Sequence, residues 1–224
     1  MERNFMTRMA EYLQDHAGDL LMLTLNHIVM VVAGLLLALV VGIPLGILCA
    51  RNERTAKIIL AAANTIQVFP SLALLAILML VLGLGFKTIV VGLFLYSLLP
   101  IIRNTYVGLQ QVDRGVSEAG KGVGMSPLQL LLKVQMPLSL PFLMAGLRVA
   151  AVIAIGVATL APLIGGDGLG KEIYYGLNHR NDIQIYAGAI PAALLAIAAD
   201  IVLGKWQKRM EVDTRKGKKQ PIRS

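Results

Sequence analysis

Long apolar runs separated by short polar stretches leave this chain one kind of fold. Ile28 to Ala50 carries no charge, and neither does Ile58 to Phe86, which is expected to stop near Gly83-Leu84-Gly85. Thr88 to about Gly108 is apolar as far as Arg103. Val134 to Gly166 holds one charge, Arg148, and Ile183 to Gly204 holds one, Asp200. About 20 apolar residues cross a bilayer core as a helix, and backbone groups cannot stay unpaired there. These runs predict an all-α integral membrane protein with five transmembrane helices. Only 15% of the residues are charged and 56% are hydrophobic, whereas soluble domains carry about 25% charged residues. That leaves too little polar surface to cover a globule in water.

Charge sets the orientation. With the N-terminus outside, Arg51, Arg54, Lys57, Arg103, Arg114, Lys121, Lys133 and the basic tail from Lys205 to Arg223 all fall inside. The outside keeps Arg3, Arg8, Lys87, Lys171 and Arg180. Cytoplasmic loops hold the excess of Lys and Arg, so the expectation is N-terminus outside and C-terminus inside. The chain then divides into an outer N-terminal segment (1–27), a cytoplasmic loop (109–136), an outer loop (165–182) and a cytoplasmic tail (205–224). The net charge of +8 is explained by this placement and calls for no nucleic acid. The N-terminus mixes acids and bases and lacks the apolar core of a cleavable signal peptide. A lone cysteine, Cys49, excludes an intrachain disulfide, and His16, His27 and His179 are not at ligand spacing. No metal site, no cofactor and no catalytic constellation is expected.

The one long cytoplasmic loop contains "RGVSEAGKGVGMSP". Gly115 and Gly120-Lys121 approach a phosphate-binding loop, but the position that should hold Mg²⁺ through a hydroxyl is Gly122. Val112, Val116, Ala119 and Val123 form one apolar stripe on a short helix. Gly124 stands where a helix C-terminus wants it. Ser126, Pro127 and Gln129 spell a capping box with a proline start. A second short helix follows from Leu128 to about Gln135, and Pro137 is expected to end it. That second helix is too apolar to read base edges, so the pair is not a DNA-binding element. The small residues suit a rigid knob that a partner can approach closely.

"EAGKGVGMSPLQLLLKVQMP" resembles the EAA loop of ABC-importer permeases, whose pattern is EAA, a glycine, an isoleucine and Leu-Pro. Here Glu118-Ala119-Gly120, Gly124, Val134 and Met136-Pro137 keep that spacing, with Gly120, Val134 and Met136 as mild departures. The resemblance covers nearly the whole chain. "IQVFPSLALLAILMLVLGLG", "YSLLPIIRNTYVGL" and "PLIGGDGLGKEIYYGLN" look like permeases of osmoprotectant importers for glycine betaine, carnitine or choline. It implies a bacterial cytoplasmic membrane and a separate ABC ATPase as partner. It also implies a second permease, identical or paralogous, and an extracytoplasmic binding protein. By the same resemblance Glu118, Ala119, Gly120, Gly124, Ser126, Pro127 and Pro137 would couple to the ATPase. An importer of another small solute, such as the amino acid methionine, and an ATP-independent carrier are the alternatives.

Within the spans, Arg148 and Asp200 both lie a few residues from the inner ends and can pair. Gln67, Phe69, Pro70 and Ser71 combine a polar side chain, an aromatic and a kink in one span. With Tyr96 and Ser97 of the next span they are the pathway candidates. "GGDGLG" faces away from cytoplasmic nucleotide and reads as a flexible outer turn. Quaternary ammonium groups are held in aromatic cages, and a chain only 5% aromatic is poorly equipped to build one alone.

Overall fold

The computed structural model describes residues 4–217, and among them every regular element is helical. A short amphipathic helix, α1 (Phe5–Asp15), precedes a long apolar one, α2 (Ala17–Arg51). Next come α3 (Glu53–Val68), α4 (Ser71–Leu82) and α5 (Phe86–Gln110). The loop elements are α6 (Arg114–Gly122) and α7 (Pro127–Leu130), and a π turn (Leu131–Gln135) leads into α8 (Met136–Ala158). A 3₁₀ turn (Ala161–Ile164), α9 (Gly170–His179) and α10 (Asp182–Gly217) complete the order. Residues 218–224 of the basic tail lie outside the described residues.

α5 is the hub, because it is the most buried of the long helices and meets both α2 and α8. α2 approaches it on a stripe of small residues at four-residue steps: Gly34, Ala38, Gly42 and Gly46, all buried. A Cβ at Gly46 would come within 2.5 Å of Thr105 Cβ, and one at Gly42 within 2.8 Å of Ile101. Small residues let two backbones close on each other where lipid offers no hydrophobic drive. The resulting core joins Met30, Leu75, Ile89, Leu93, Ala154, Ala158 and Ile164. Many large apolar side chains remain outside it, among them Val40, Leu80 and Leu194. This is the pattern of a bundle whose periphery meets lipid or other apolar partners rather than water.

Four helices are long and apolar enough to cross a membrane, and α3 with α4 makes a fifth candidate, bent by 99°. The kink expected at Pro70 within the Ile58–Phe86 span is a full break at Phe69-Pro70. Pro70 has no N–H to give and disfavours the helical region for the residue before it. Phe69 is accordingly extended, at φ −59° and ψ 137°. α4 ends at Gly83, where the glycine stop was expected. Pro44, Pro100 and Pro191, by contrast, sit inside continuous helices.

Candidate functional site

The loop between α5 and α8 folds as a compact knob. Asp113 caps α6 by accepting the Gly115 N–H at 2.7 Å. The far end closes with two reciprocal bonds: Gly124 N–H to Lys121 O at 2.9 Å, and Met125 N–H to Gly120 O at 3.1 Å. This pairing satisfies the last carbonyls of a helix when the next residue is left-handed, and Gly124 has φ +81°. Ser126 then starts α7. Its hydroxyl accepts the Gln129 N–H at 3.3 Å, and its own N–H donates to Gln129 Oε1 at 2.9 Å. Gly120 is buried against Leu130, whose Cδ1 stands 2.6 Å from where a Cβ would be. Leu130 fills the space that an alanine methyl at this position would take.

Glu118, Ala119, Gly124, Ser126 and Pro127 are all exposed, as are Val116, Val123 and Leu128. The apolar stripe of α6 thus points away from the bundle, apart from Val112, which is half-buried.

Pro137 does not end the second helix. It occupies the first turn of α8, and the chain runs helical from Pro127 to Ala158. The Met136 N–H reaches back five residues to Leu131 O. That π turn widens the backbone just where the proline ring would strike the carbonyl four residues earlier. A proline absorbed by a π turn looks the same in sequence as a proline that stops a helix.

The pathway candidates converge only in part. The Tyr96 hydroxyl donates to the Phe69 carbonyl at 2.5 Å, across the α3–α4 break. Pro70 leaves that end of α3 without a continuing helix, and Tyr96 supplies a partner for its last turn. Ser97 is fully buried beside it, with no hydrogen-bond partner for its hydroxyl among the described residues. Gln67 and Ser71 flank the break, both half-buried, while Phe69 and Pro70 are exposed. Arg148 and Asp200 form a two-pronged pair between α8 and α10, at 2.5 and 2.7 Å. Gly204 lies flat against the guanidinium.

Two further arrangements are not signalled by the sequence. Tyr12 of α1 donates to Glu172 of α9 at 2.5 Å. Burial, and then the Glu172 carboxylate, push the Tyr12 phenol well above its ordinary value, so it stays protonated and donating. Separately, His27 is fully buried, with Nε2 3.1 Å from the Ile155 carbonyl. That carbonyl is free because the Thr159 N–H turns to Gly156 instead. Nothing in the spacing of an isolated histidine signals such a partner, 128 residues away.

The "GGDGLG" segment is not the flexible turn expected. Leu169 is fully buried and Ile164 almost so. Asp167 accepts from Asn26 at 2.9 Å and pairs with Lys171 at 3.3 Å. The carbonyl of Thr159 closes on Gly170 so tightly that no side chain fits there. These glycines serve close packing.

Residues 42–216 match the family model described as the binding-protein-dependent transport system inner membrane component. The chain belongs to this family. It is therefore a multi-pass inner-membrane component of a transport system. It is similar to the glycine betaine/carnitine/choline transport system permease protein of Bacillus subtilis (strain 168), 48% identical over 203 residues, covering 90% of this chain and 88% of that one. A carnitine transport permease protein of Listeria monocytogenes is 44% identical over 216 residues, covering 96% of each. Among solved structures, an inward-facing methionine ABC transporter superposes with a TM-score of 0.77 at 20% identity, covering 85% of this chain and 95% of that one. At that identity the likeness speaks for the fold.

Proposed function

We propose that this chain is the permease subunit of an ATP-driven importer for a small quaternary-ammonium osmoprotectant such as glycine betaine, choline or carnitine. The carrying observation is the 48% identity to a permease named for those solutes, across about nine-tenths of both chains. The chain forms half of a passage and a second permease, identical or paralogous, forms the other half. A separate ABC ATPase hydrolyses the nucleotide, and an extracytoplasmic binding protein delivers the solute. The exposed knob of α6 and α7 is the part the ATPase grips, with Glu118, Ala119, Gly120, Gly124, Ser126 and Pro127 as its coupling residues. Pro137 belongs to this set through the π turn that ties the knob rigidly to α8. Push on the knob is then delivered along one continuous helix, because Pro127 to Ala158 has no break.

In this reading the bent pair α3–α4 is one span, the chain crosses five times, and the N-terminus is outside. Phe69, Pro70, Tyr96 and Ser97 stand where a broken span exposes backbone to a passage, with Gln67 and Ser71 on either side. The methionine importer shares the fold, and its solute does not carry over at that identity.

The test is uptake of radiolabelled solute by cells lacking other osmoprotectant transport, expressing this chain with the ATPase, permease and binding protein that co-purify with it. Betaine, choline or carnitine should accumulate, and an ATPase-inactive variant should abolish accumulation. Uptake of methionine instead would reject the solute. Uptake surviving loss of the ATPase would reject the importer and favour a carrier.

A further inference from the structure

We infer that the cleft between the coupling knob and the inner ends of α2 and α5 binds the headgroup of an anionic phospholipid. The inference rests on the membrane reading above, in which this end of the bundle is cytoplasmic.

The cleft has a volume of about 390 Å³ and is walled by three separate parts of the chain. Arg51 comes from the end of α2, Gln110 from the end of α5, Lys121 from α6 and Gln135 from the π turn. Its remaining wall is apolar, with Ile47 and Leu131 as examples. The depth is set by α2, whose uncharged run ends at Ala50, so Arg51 stands at headgroup level.

The chemistry is two-faced. Two cations and two amides are among the lining residues, and no acidic side chain lines the cleft. Neither Arg51 nor Lys121 has a carboxylate within ion-pair distance among the described residues, whereas Lys57, Arg148 and Lys171 each do. A phosphate with no positive charge of its own fits between the two cations. The apolar part of the lining suits the glycerol and upper acyl carbons of a lipid, which a free phosphate ion would leave uncovered. A zwitterionic headgroup brings an ammonium or choline that opposes Arg51 and Lys121. Basic pockets between spans on the cytoplasmic side suit acidic headgroups for this reason.

The position gives the lipid a role. α6 packs mainly on α7 and the π turn, so the cleft is the gap behind the knob. A headgroup bridging Arg51 and Lys121 ties α6 to α2 and braces the knob against the push it receives.

The experiment is native mass spectrometry of the full chain, in the assembly it forms in mild detergent. Phosphatidylglycerol or phosphatidylcholine is added, with inorganic phosphate as competitor. Phosphatidylglycerol should be retained in preference. Arg51→Gln and Lys121→Gln should each lower its retention about fivefold, the weight of one cation at a membrane surface. Lys57→Gln, removing a cation outside the cleft, should not. Ile47→Trp fills the apolar end with both cations intact and should also lower retention, which guards against a charge variant that folds poorly. Equal retention of both lipids, or unchanged retention in the Arg51→Gln, Lys121→Gln double variant, overturns the inference. Displacement by equimolar phosphate would make the cleft an ion site and overturn the lipid. Lipid retention is read without transport, so a chain that imports normally yet shows no lipid preference sinks this inference alone.

Discussion

Gly124 concentrates more of the proposed mechanism than any other single residue. At φ +81°, with nothing within 4 Å of a would-be Cβ, the obstacle to substitution is backbone strain rather than a clash. A left-handed conformation costs an L-residue roughly 1–2 kcal/mol, more for a branched one and less for Asn. That exceeds what the short α6–α7 turn can absorb, yet it is small against the bundle's buried core. Gly124→Val is therefore expected to insert and fold normally while solute uptake falls at least tenfold and the ATPase co-purifies poorly. Gly124→Asn should keep most of both. Equal loss in the two variants would show that the turn's handedness is not what matters. The residue was legible in sequence because only glycine answers that local need. Tyr96 was legible only as a polar side chain in a span. Its bond to the Phe69 carbonyl depends on how α5 lies across the α3–α4 break, which no local pattern encodes.

Helices show the same division between local and tertiary causes. Capping of α7 by Ser126 and Gln129, and the glycine stops of α4 and α6, are short-range and were readable. A kink at Pro70 was readable from the proline itself, but its size and the π turn that carries the helix through Pro137 were not. Proline removes one N–H in both places, and whether the chain kinks or widens depends on what packs nearby. Pairing between elements can be tested through charge. Arg148→Asp and Asp200→Arg alone each face two like charges across α8 and α10, and each should reduce the amount of assembled protein in the membrane. The combined swap should restore assembly and uptake. A double variant as poor as the singles would show that the two positions act separately. At the end away from the knob, α1 docks through Tyr12 on Glu172 and through Phe5 edge-on to Tyr186. The phenol's value is raised on folding, so its contribution is complete below about pH 10, the unfolded value, and disappears as pH rises beyond it. Amide exchange in α1 should accordingly quicken above about pH 10 in the wild type. In Tyr12→Phe it should be faster at every pH and show no alkaline step. A step of the same size in both would assign it to another group.

For the whole molecule, the five crossings proposed can be tested through which ends meet. The α2–α3 corner lies by the knob, since Arg51 and Lys121 share one cleft. The α4–α5 corner lies by the α8–α9 loop, since the Gly85 N–H donates to Ile164 O at 2.9 Å. Between the knob and that loop runs α8, 23 residues long, or about 34 Å of helix, enough to span a bilayer core. In the proposed reading the bent pair travels from one end of the bundle to the other, and it counts as a crossing and not a re-entrant dip. With the basic residues gathered at the knob end, the proposed topology predicts Gln14 and Leu84 outside and Glu53 and Gly122 inside. The native thiol is a quiet background, because Cys49 is only 1% exposed. Single cysteines at those four exposed positions, treated with a membrane-impermeant maleimide, should label at Gln14 and Leu84 in intact cells. Those at Glu53 and Gly122 should label only after the membrane is opened. Labelling of Glu53 and Leu84 from the same face would instead make α3–α4 re-entrant and reduce the crossings to four. The N- and C-termini would then share a side, and the charge argument for orientation would have to be made again from the tail alone.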